Sequence, residues 1–258
     1  MPYALLTGAS GGIGLCLAHE LAARKIDLIL VARSTDKLER VSREISEKYG
    51  VKAEYLSLDL SESTSIPTLI AWLHSRSFEV NILINNAGYG LWGNFEAVEW
   101  KDLQNMMQLN MTTLAHLCHA MIPELKKHKN SYILNVASTA SYQAVPTLAT
   151  YAATKAFVVL FTRGLRLELK NTGISVTCLS PGATSTNFID RAGMGVMKER
   201  AEKFSMKPEA VAKIAMEGMF KGKPEILPGF VNWISVQLTY FMPKSVPEKI
   251  AAGLYKID

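Results

Sequence analysis

Tyr151 and Lys155 stand four residues apart in Tyr151-Ala152-Ala153-Thr154-Lys155, a spacing that places both on one face of a helix. A tyrosine hydroxyl, with an ordinary pKa of about 10, is a poor base at neutral pH and a poorly matched acid. A cation beside it changes that. At about 4 Å and an effective dielectric of ~20, one unit charge contributes about 4 kcal/mol, enough to draw the hydroxyl most of the way towards neutrality. The pair therefore predicts proton transfer at a substrate oxygen. Taken singly, a helical tyrosine or lysine is ordinary amphipathic surface, so the chemistry depends on what else the chain supplies.

The chain supplies a phosphate loop. Thr7-Gly8-Ala9-Ser10-Gly11-Gly12-Ile13-Gly14 follows a strand-like Tyr3 to Thr7 and opens a helical pattern. Gly8, Gly12 and Gly14 allow a tight turn, close backbone approach to a pyrophosphate and close packing of helix on strand, and the helix N-terminus offers N–H donors. Ser10 and Ile13 share the loop and are expected at the same ligand. A glycine cluster alone is only a turn; between the first strand and the first helix it points to a dinucleotide. The second strand ends in Arg33, where an acidic residue would otherwise hold the adenosine ribose. A guanidinium can hold a 2′-phosphate, so NADP(H) is the expected cofactor and NAD(H) the second choice. The competing expectation is a surface arginine paired with Asp36 or Glu39. Asp59, after the third strand, can reach the adenine amine or else cap a helix from Ser61.

Apolar runs at Tyr3 to Thr7, Asp27 to Ala32, Ala53 to Leu58, Asn81 to Asn85, Tyr132 to Val136 and Ser175 to Leu179 read as strands, with a seventh at Glu225 to Leu227 after a helical Pro208 to Phe220. Ile13, Leu17 and Leu21 recur every four residues, and Leu38, Val41 and Ile45 form a stripe between a possible cap at Ser34 and Gly50. Continuous apolar strands joined by helices indicate a parallel sheet wound in right-handed crossovers. The expected fold class is α/β: one doubly wound Rossmann domain over residues 1–258, with about seven strands and a short C-terminal helical extension from 228.

The glycine pattern, Asn86-Ala87-Gly88 after the fourth strand, Asn110, Ser138 after the fifth, the Tyr151-to-Lys155 spacing and Pro181-Gly182 follow one another in order. Together they resemble the classical short-chain dehydrogenase/reductase family, over Thr7 to about Thr186, some seven tenths of the chain. The resemblance implies an oxidoreductase that interconverts a carbonyl and an alcohol. Asn110, Ser138, Tyr151 and Lys155 would be its catalytic residues. In the reductive direction Ser138 would donate a hydrogen bond to the carbonyl and Tyr151 would deliver the proton. Lys155 would also hold the nicotinamide ribose, and Asn110 would support a water linking Lys155 to solvent. Asn86, Gly88, Pro181 and Gly182 would shape the cofactor site, and Thr186, with Thr184 as second choice, would reach the carboxamide. Each has a plainer alternative: Ser138 can cap a turn, Asn110 can satisfy helix ends, and 181–186 can be an ordinary strand-ending turn. A homodimer or homotetramer is implied, formed through the helices around Lys101 to Lys126 and Tyr151 to Lys170.

Substrate specificity is expected in Tyr89-Gly90-Leu91-Trp92, in Ala140 to Leu148 and in a lid over 187–207. The lid carries Phe188, Met194, Met197 and Phe204, with Gly193 and Gly195 as hinges, which suggests an apolar carbonyl substrate; the alternative is that these residues pack onto the core. Phe230, Trp233, Tyr240 and Phe241 in the tail can enlarge the pocket, meet a neighbouring subunit or touch lipid. Two other functional classes compete: a non-catalytic NADP(H)-binding protein, whose mark of eroded catalytic residues is not visible, and a membrane-surface or partner-binding module built on the tail.

Composition narrows the field. An apolar content of 48% with 20% charged residues supports a real core. The net charge of +5 is spread along the chain, and its densest cluster, Lys126, Lys127, His128 and Lys129, reads as a solvated helix end, so no nucleic acid partner is expected. Cys16, Cys118 and Cys178 have no pairing or metal-ligand spacing, which suggests buried reduced thiols and a cytoplasmic protein. No signal peptide is expected at the N-terminus. Pro228, Gly229, Asn232, Ser235 and Gln237 interrupt the apolar Ile226 to Phe241, so membrane association is not expected. His116 and His119 share a helix face without a third ligand, arguing against a metal, and no Gly-x-Ser-x-Gly suggests a hydrolase.

Overall fold

Alternation of side chains along the strands decides the layering. In the computed structural model, which describes residues 2–186, 192–193 and 205–254, seven strands form one parallel sheet: β1 (Tyr3–Thr7), β2 (Asp27–Ala32), β3 (Ala53–Ser57), β4 (Val80–Asn85), β5 (Ser131–Val136), β6 (Ile174–Leu179) and β7 (Glu225–Ile226). Their order is β3-β2-β1-β4-β5-β6-β7. Ala4, Leu6, Leu28 and Leu30 point to one face, where helices α1 (Gly12–Ala23) and α2 (Thr35–Tyr49) cover them. Leu5, Ile29, Val31 and Leu83 point to the other face, under α3 (Ser65–Ser75), α5 (Leu114–Leu125) and α6 (Ala149–Glu168). Helix α4 (Trp100–Met107) runs into α5 through a π-helical turn, Gln108–Thr113. Helix α7 (Pro208–Phe220) returns to the first face through Val211, Ala215 and Met219. The extension comprises α8 (Phe230–Phe241) and α9 (Ser245–Leu254).

The expected strands are present with ends shifted by a residue or two; β3 stops at Ser57 rather than Leu58, and β7 at Ile226 rather than Leu227. Leu17 and Leu21 are buried as expected, but Ile13 is only half-buried, because the first turn of α1 faces a cleft. Leu38, Val41 and Ile45 are buried, and Gly50 ends α2 in the left-handed region with φ +65°. Ser34 occupies the cap position of α2, yet its hydroxyl makes no capping bond. Asp59 caps no helix either, since α3 begins only at Ser65; its Oδ1 instead accepts from the Ser61 amide at 2.9 Å and the Ser61 hydroxyl at 2.7 Å. Lys126 to Lys129 follow the end of α5, with Lys127 paired to Glu124 at 2.5 Å. Cys118 and Cys178 are buried, and burial pushes both thiols up to about 12; Cys16 is half-buried rather than buried.

Between β1 and β4 the chain winds in opposite directions, so the crevice beyond the strand ends opens there. Side chains lock that switch point. Thr7 Oγ1 accepts from the backbone amides of Asn86 and Ala87, both at 3.0 Å, and Asn86 Nδ2 donates to the carbonyls of Thr7 at 3.0 Å and Gly8 at 3.2 Å. A buried relay backs the sheet, from Asn85 Nδ2 to Asn135 Oδ1 at 2.8 Å and from Asn135 Nδ2 to Thr162 Oγ1 at 3.0 Å. It ties β4, β5 and α6 into one rigid support.

Candidate active site

One cleft of about 1850 Å³ runs along the strand ends. At one end lies the glycine loop. Gly8 and Gly12 adopt φ +67° and +55°, the left-handed region that glycine enters without strain. A Cβ on Gly14 would stand 2.2 Å from the Gly8 carbonyl oxygen, so α1 closes on the loop only because that side chain is absent. No side chain caps α1, which leaves its first amides for an anion. Ser10 and Ile13 line the same stretch. The loop is thus a backbone cradle of the size and polarity a pyrophosphate needs, and the residues present fit a bound dinucleotide.

Next along the cleft, Arg33 Nη1 lies 3.7 Å from Asp59 Oδ2, with neither Asp36 nor Glu39 as its partner. Burial works against the Asp59 carboxylate, but the Ser61 amide and hydroxyl and the Arg33 charge outweigh it and hold its pKa below the ordinary value. Lys37, in the first turn of α2, lines the cleft beside Arg33. Sequence reasoning passed over Lys37; its place four residues after Arg33, just inside the helix, was the signal.

The central part holds the candidate catalytic groups. Tyr151 and Lys155 lie on α6, as their spacing predicts, and both line the cleft. Lys155 is almost fully buried, with Nζ donating to the Val136 carbonyl at 2.9 Å and standing 6.0 Å from the centre of the Tyr151 ring. Burial lowers its pKa to about 8. Ser138 lies two residues after β5 and caps a 3-10 turn, Thr139–Tyr142; its Oγ accepts from the Ala140 amide at 3.1 Å, so the hydroxyl both caps the turn and keeps a proton to donate. Asn86, Gly88, Pro181, Gly182, Thr184 and Thr186 also line the cleft. Thr184 Oγ1 is committed to the Gly182 carbonyl at 3.0 Å, whereas Thr186 lies against Gly12, beside the phosphate loop.

Asn110 is the one expected site residue that does not line the cleft. It is buried in the π-helical turn, where Oδ1 accepts from the Tyr89 amide at 3.2 Å and Nδ2 donates to the Tyr89 carbonyl at 2.9 Å and to Thr154 Oγ1 at 3.0 Å. Thr154 donates in turn to the Tyr151 carbonyl at 2.7 Å. A Cβ on Gly88 would come within 2.9 Å of Asn110 Oδ1 and 3.2 Å of Lys155 Nζ, so the bare backbone at Gly88 is what lets these two side chains converge.

Beyond Tyr151 the cleft changes character. Tyr151 packs with Leu103, Met106, Val145 and Leu148, and Ala140, Gln143, Val145 and Leu148 line the wall, within the segment expected from sequence. Of Tyr89 to Trp92 only Tyr89 reaches the cleft; Leu91 lines a separate cavity of about 80 Å³. Within the expected lid, Phe188, Met194, Gly195, Met197 and Phe204 lie outside the described residues. The base of that segment is closed by backbone bonds between Ala183 or Ser185 and Met206, each 3.0 Å.

The opposite wall comes from α8, which contributes Asn232, Ser235, Val236 and Thr239. A network anchors that wall. Glu225 of β7 accepts from the Tyr142 hydroxyl and from Arg163 Nη2 at 3.2 and 3.3 Å, Arg163 also donates to the Tyr240 hydroxyl at 3.0 Å, and Tyr142 bonds Ser180 at 2.9 Å. Burial and then Glu225 push the Tyr142 hydroxyl up, while Tyr240 and Glu225 hold Arg163 charged against its own desolvation. The 3-10 turn that starts at Ser138 is thereby joined to the helix across the cleft. Nothing in sequence spacing links Tyr142, Arg163, Glu225 and Tyr240. Among the described residues no three His, Cys, Asp or Glu side chains cluster as a metal site, and no helix is long and apolar enough to cross a membrane.

A doubly wound sheet with a glycine loop at its switch point, and a Tyr, Lys and Ser gathered in the same cleft, defines a dinucleotide-binding oxidoreductase fold. The chain belongs to the short chain dehydrogenase family, whose model matches residues 2–196. It is 35% identical over 190 residues to Hydroxysteroid dehydrogenase-like protein 1 of Gallus gallus, covering 72% of this chain and 57% of that protein. It is 34% identical over 190 residues to Very-long-chain 3-oxoacyl-CoA reductase-B of Danio rerio, covering 72% and 60%. The chain thus spans less than two thirds of the length of these curated relatives. Among solved structures, a short-chain dehydrogenase from Sphingobium yanoikuyae in complex with NADPH superimposes with a TM-score of 0.83 at 30% identity, covering 93% of this chain and 94% of that one.

Proposed function

We propose that this protein is an NADP(H)-dependent oxidoreductase that reduces an apolar ketone or aldehyde to its alcohol. The observation that carries the proposal is the single cleft in which the glycine cradle, Arg33, Ser138, Tyr151 and Lys155 meet. Gly8, Ser10, Gly12, Ile13 and Gly14 hold the pyrophosphate, and Arg33 with Lys37 holds the 2′-phosphate, with Asp59 beside the adenine. Asn86, Gly88, Pro181, Gly182 and Thr186 line the nicotinamide end. The NADPH-bound relative supports this choice of cofactor. When bound, reduced nicotinamide supplies hydride to the carbonyl carbon.

The chain's own residues manage the oxygen. The Ser138 hydroxyl donates a hydrogen bond to the carbonyl, and the Tyr151 hydroxyl gives its proton as the alkoxide forms. The Lys155 ammonium stabilises the tyrosinate left behind. Asn110 holds Tyr89 and, through Thr154, the backbone of Tyr151; it acts as a positioning residue on the route by which Tyr151 is reprotonated. Val145, Leu148 and the apolar packing of Tyr151 favour an apolar substrate body, in keeping with relatives named for hydroxysteroids and very-long-chain 3-oxoacyl-CoA.

The exposed Phe157, Leu160 and Leu167 of α6 and Trp100 of α4 support a homodimer or homotetramer through these helices. Three free thiols support a reducing compartment such as the cytoplasm. Titration with NADPH and NADH, followed by turnover of a carbonyl panel under nicotinamide absorbance, tests the proposal. Tight NADPH binding with turnover of apolar ketones is expected; absence of dinucleotide binding contradicts it.

A further inference from the structure

Apart from the buried Val236, helix α8 turns its large apolar side chains outwards and most of its polar ones inwards, the reverse of an ordinary surface helix. Asn232, Ser235 and Thr239 line the cleft. Phe230, Val231, Trp233, Ile234, Leu238 and Phe241 are exposed, Phe230 by 74% and Phe241 by 84%. At 3.6 residues per turn these six span an arc of about 160°, broken only by Gln237. The helix cannot roll over to bury them, because Tyr240 is tied to Arg163 at 3.0 Å and Asn232 packs on Gly182, where a Cβ would stand 2.5 Å from its Oδ1. An apolar face of this breadth on a fixed element calls for a cover.

We propose that this face docks on the surface of an anionic lipid bilayer. Residues 230–241 include no charged side chain, and the outward arc offers hydrogen bonds only through Gln237 and the Trp233 indole N–H, a pairing that suits the headgroup level of a bilayer. A protein partner would need about one hydrogen bond per 100–200 Å² of interface, whereas lipid needs none. Large aromatic side chains stand at both ends of the face, with Phe230 and Trp233 stacked at 6.2 Å. Lys221 and Lys223 precede the helix and Lys244 and Lys249 follow it. Of the acidic residues nearby, Glu225 is committed to Arg163 and Tyr142, which leaves Glu248 in α9 against four lysines. Cations close in sequence to both ends of an apolar helix match anionic headgroups.

Twelve residues make about 18 Å of helix, too short for a hydrocarbon core of ~30 Å, so α8 lies in the interfacial plane. Asn232 and Ser235, which as sequence interrupt the apolar run and argue against membrane association, face the cleft and leave the outer face intact.

Co-sedimentation of the full chain with phosphatidylcholine vesicles, with and without phosphatidylserine, tests the proposal independently of any enzymatic activity. The wild type is expected to pellet with phosphatidylserine vesicles and to be released by high salt. Replacing Phe230, Trp233 and Phe241 together by Ser, all exposed positions, is expected to cut binding by roughly ten-fold or more with an unchanged circular dichroism spectrum. Wild-type protein that stays in the supernatant overturns the proposal without recourse to any variant. So does a triple variant that loses oligomeric mass while vesicle binding is unchanged, which would make the face an interface between copies.

Discussion

Arg33 and Asp59 face each other at the end of the second strand, Nη1 to Oδ2 at 3.7 Å. Their side chains are 59% and 41% exposed, so the pair itself contributes little and leaves the guanidinium available to a stronger anion. Arg33→Ala is expected to raise the KM for NADPH by about 10–100-fold, the worth of a charge-assisted contact, and to change the KM for NADH little. Steady-state kinetics with both cofactors checks this. Equal losses for the two would remove the 2′-phosphate role.

Lys155 has an ordinary pKa of 10.5 that burial lowers to about 8. The ammonium that assists Tyr151 is therefore lost as pH rises through about 8, and kcat/KM for reduction is expected to fall there. Lys155→Arg, which does not titrate in this range, should move the fall to higher pH. Stability runs the other way. The unfolded chain binds the extra proton between about 8 and 10.5, so this group makes the fold more stable as pH climbs through that window. Rate profiles and thermal melts across the window measure both signs, and a rate that is flat across it would contradict the role of Lys155.

Glu225 joins the Tyr142 turn to Tyr240 of α8 through Arg163. Glu225→Gln should cost about 1–2 kcal/mol, read as a melting temperature lower by roughly 2–8 °C. Because Tyr142, Glu225 and Tyr240 do not themselves line the cleft and act through the wall they anchor, the KM for a bulky ketone should rise while the Kd for NADPH stays constant. A parallel loss of NADPH affinity would show general unfolding instead.

Gly14→Ala would place a Cβ 2.2 Å from the Gly8 carbonyl oxygen. It is expected to abolish dinucleotide binding and lower the melting temperature. Gly253→Ala, exposed in α9 with nothing within 4 Å, should leave dinucleotide binding intact. Calorimetric titration of the two variants separates a local steric requirement from a general intolerance of alanine.

Sheet and glycine loop were legible because their signals are local. Apolar runs mark the strands, and Gly8, Gly12 and Gly14 announce a turn that other residues cannot make. Tyr151 and Lys155 were legible because a helix converts a spacing of four into adjacency. Arg33 was legible as a cation at a strand end, but its partner was not: Asp59 lies 26 positions away, and only the pairing of β2 with β3 brings them together. The Tyr142, Arg163, Glu225 and Tyr240 network was hidden for the same reason, since four separate elements meet there. The tail was legible only in part. Asn232 and Ser235 read as interruptions of an apolar segment, and only the helix geometry sorts them onto the inner face.

Tyr151→Phe removes one hydroxyl and leaves the ring packed against Leu103, Met106, Val145 and Leu148. Turnover of a responsive ketone by this variant, followed by NADPH absorbance alongside an NADPH titration, is the most direct measurement. A fall in kcat of at least about 100-fold with unchanged NADPH affinity is expected of a lost general acid. Full turnover would contradict the assignment of Tyr151 as the proton donor.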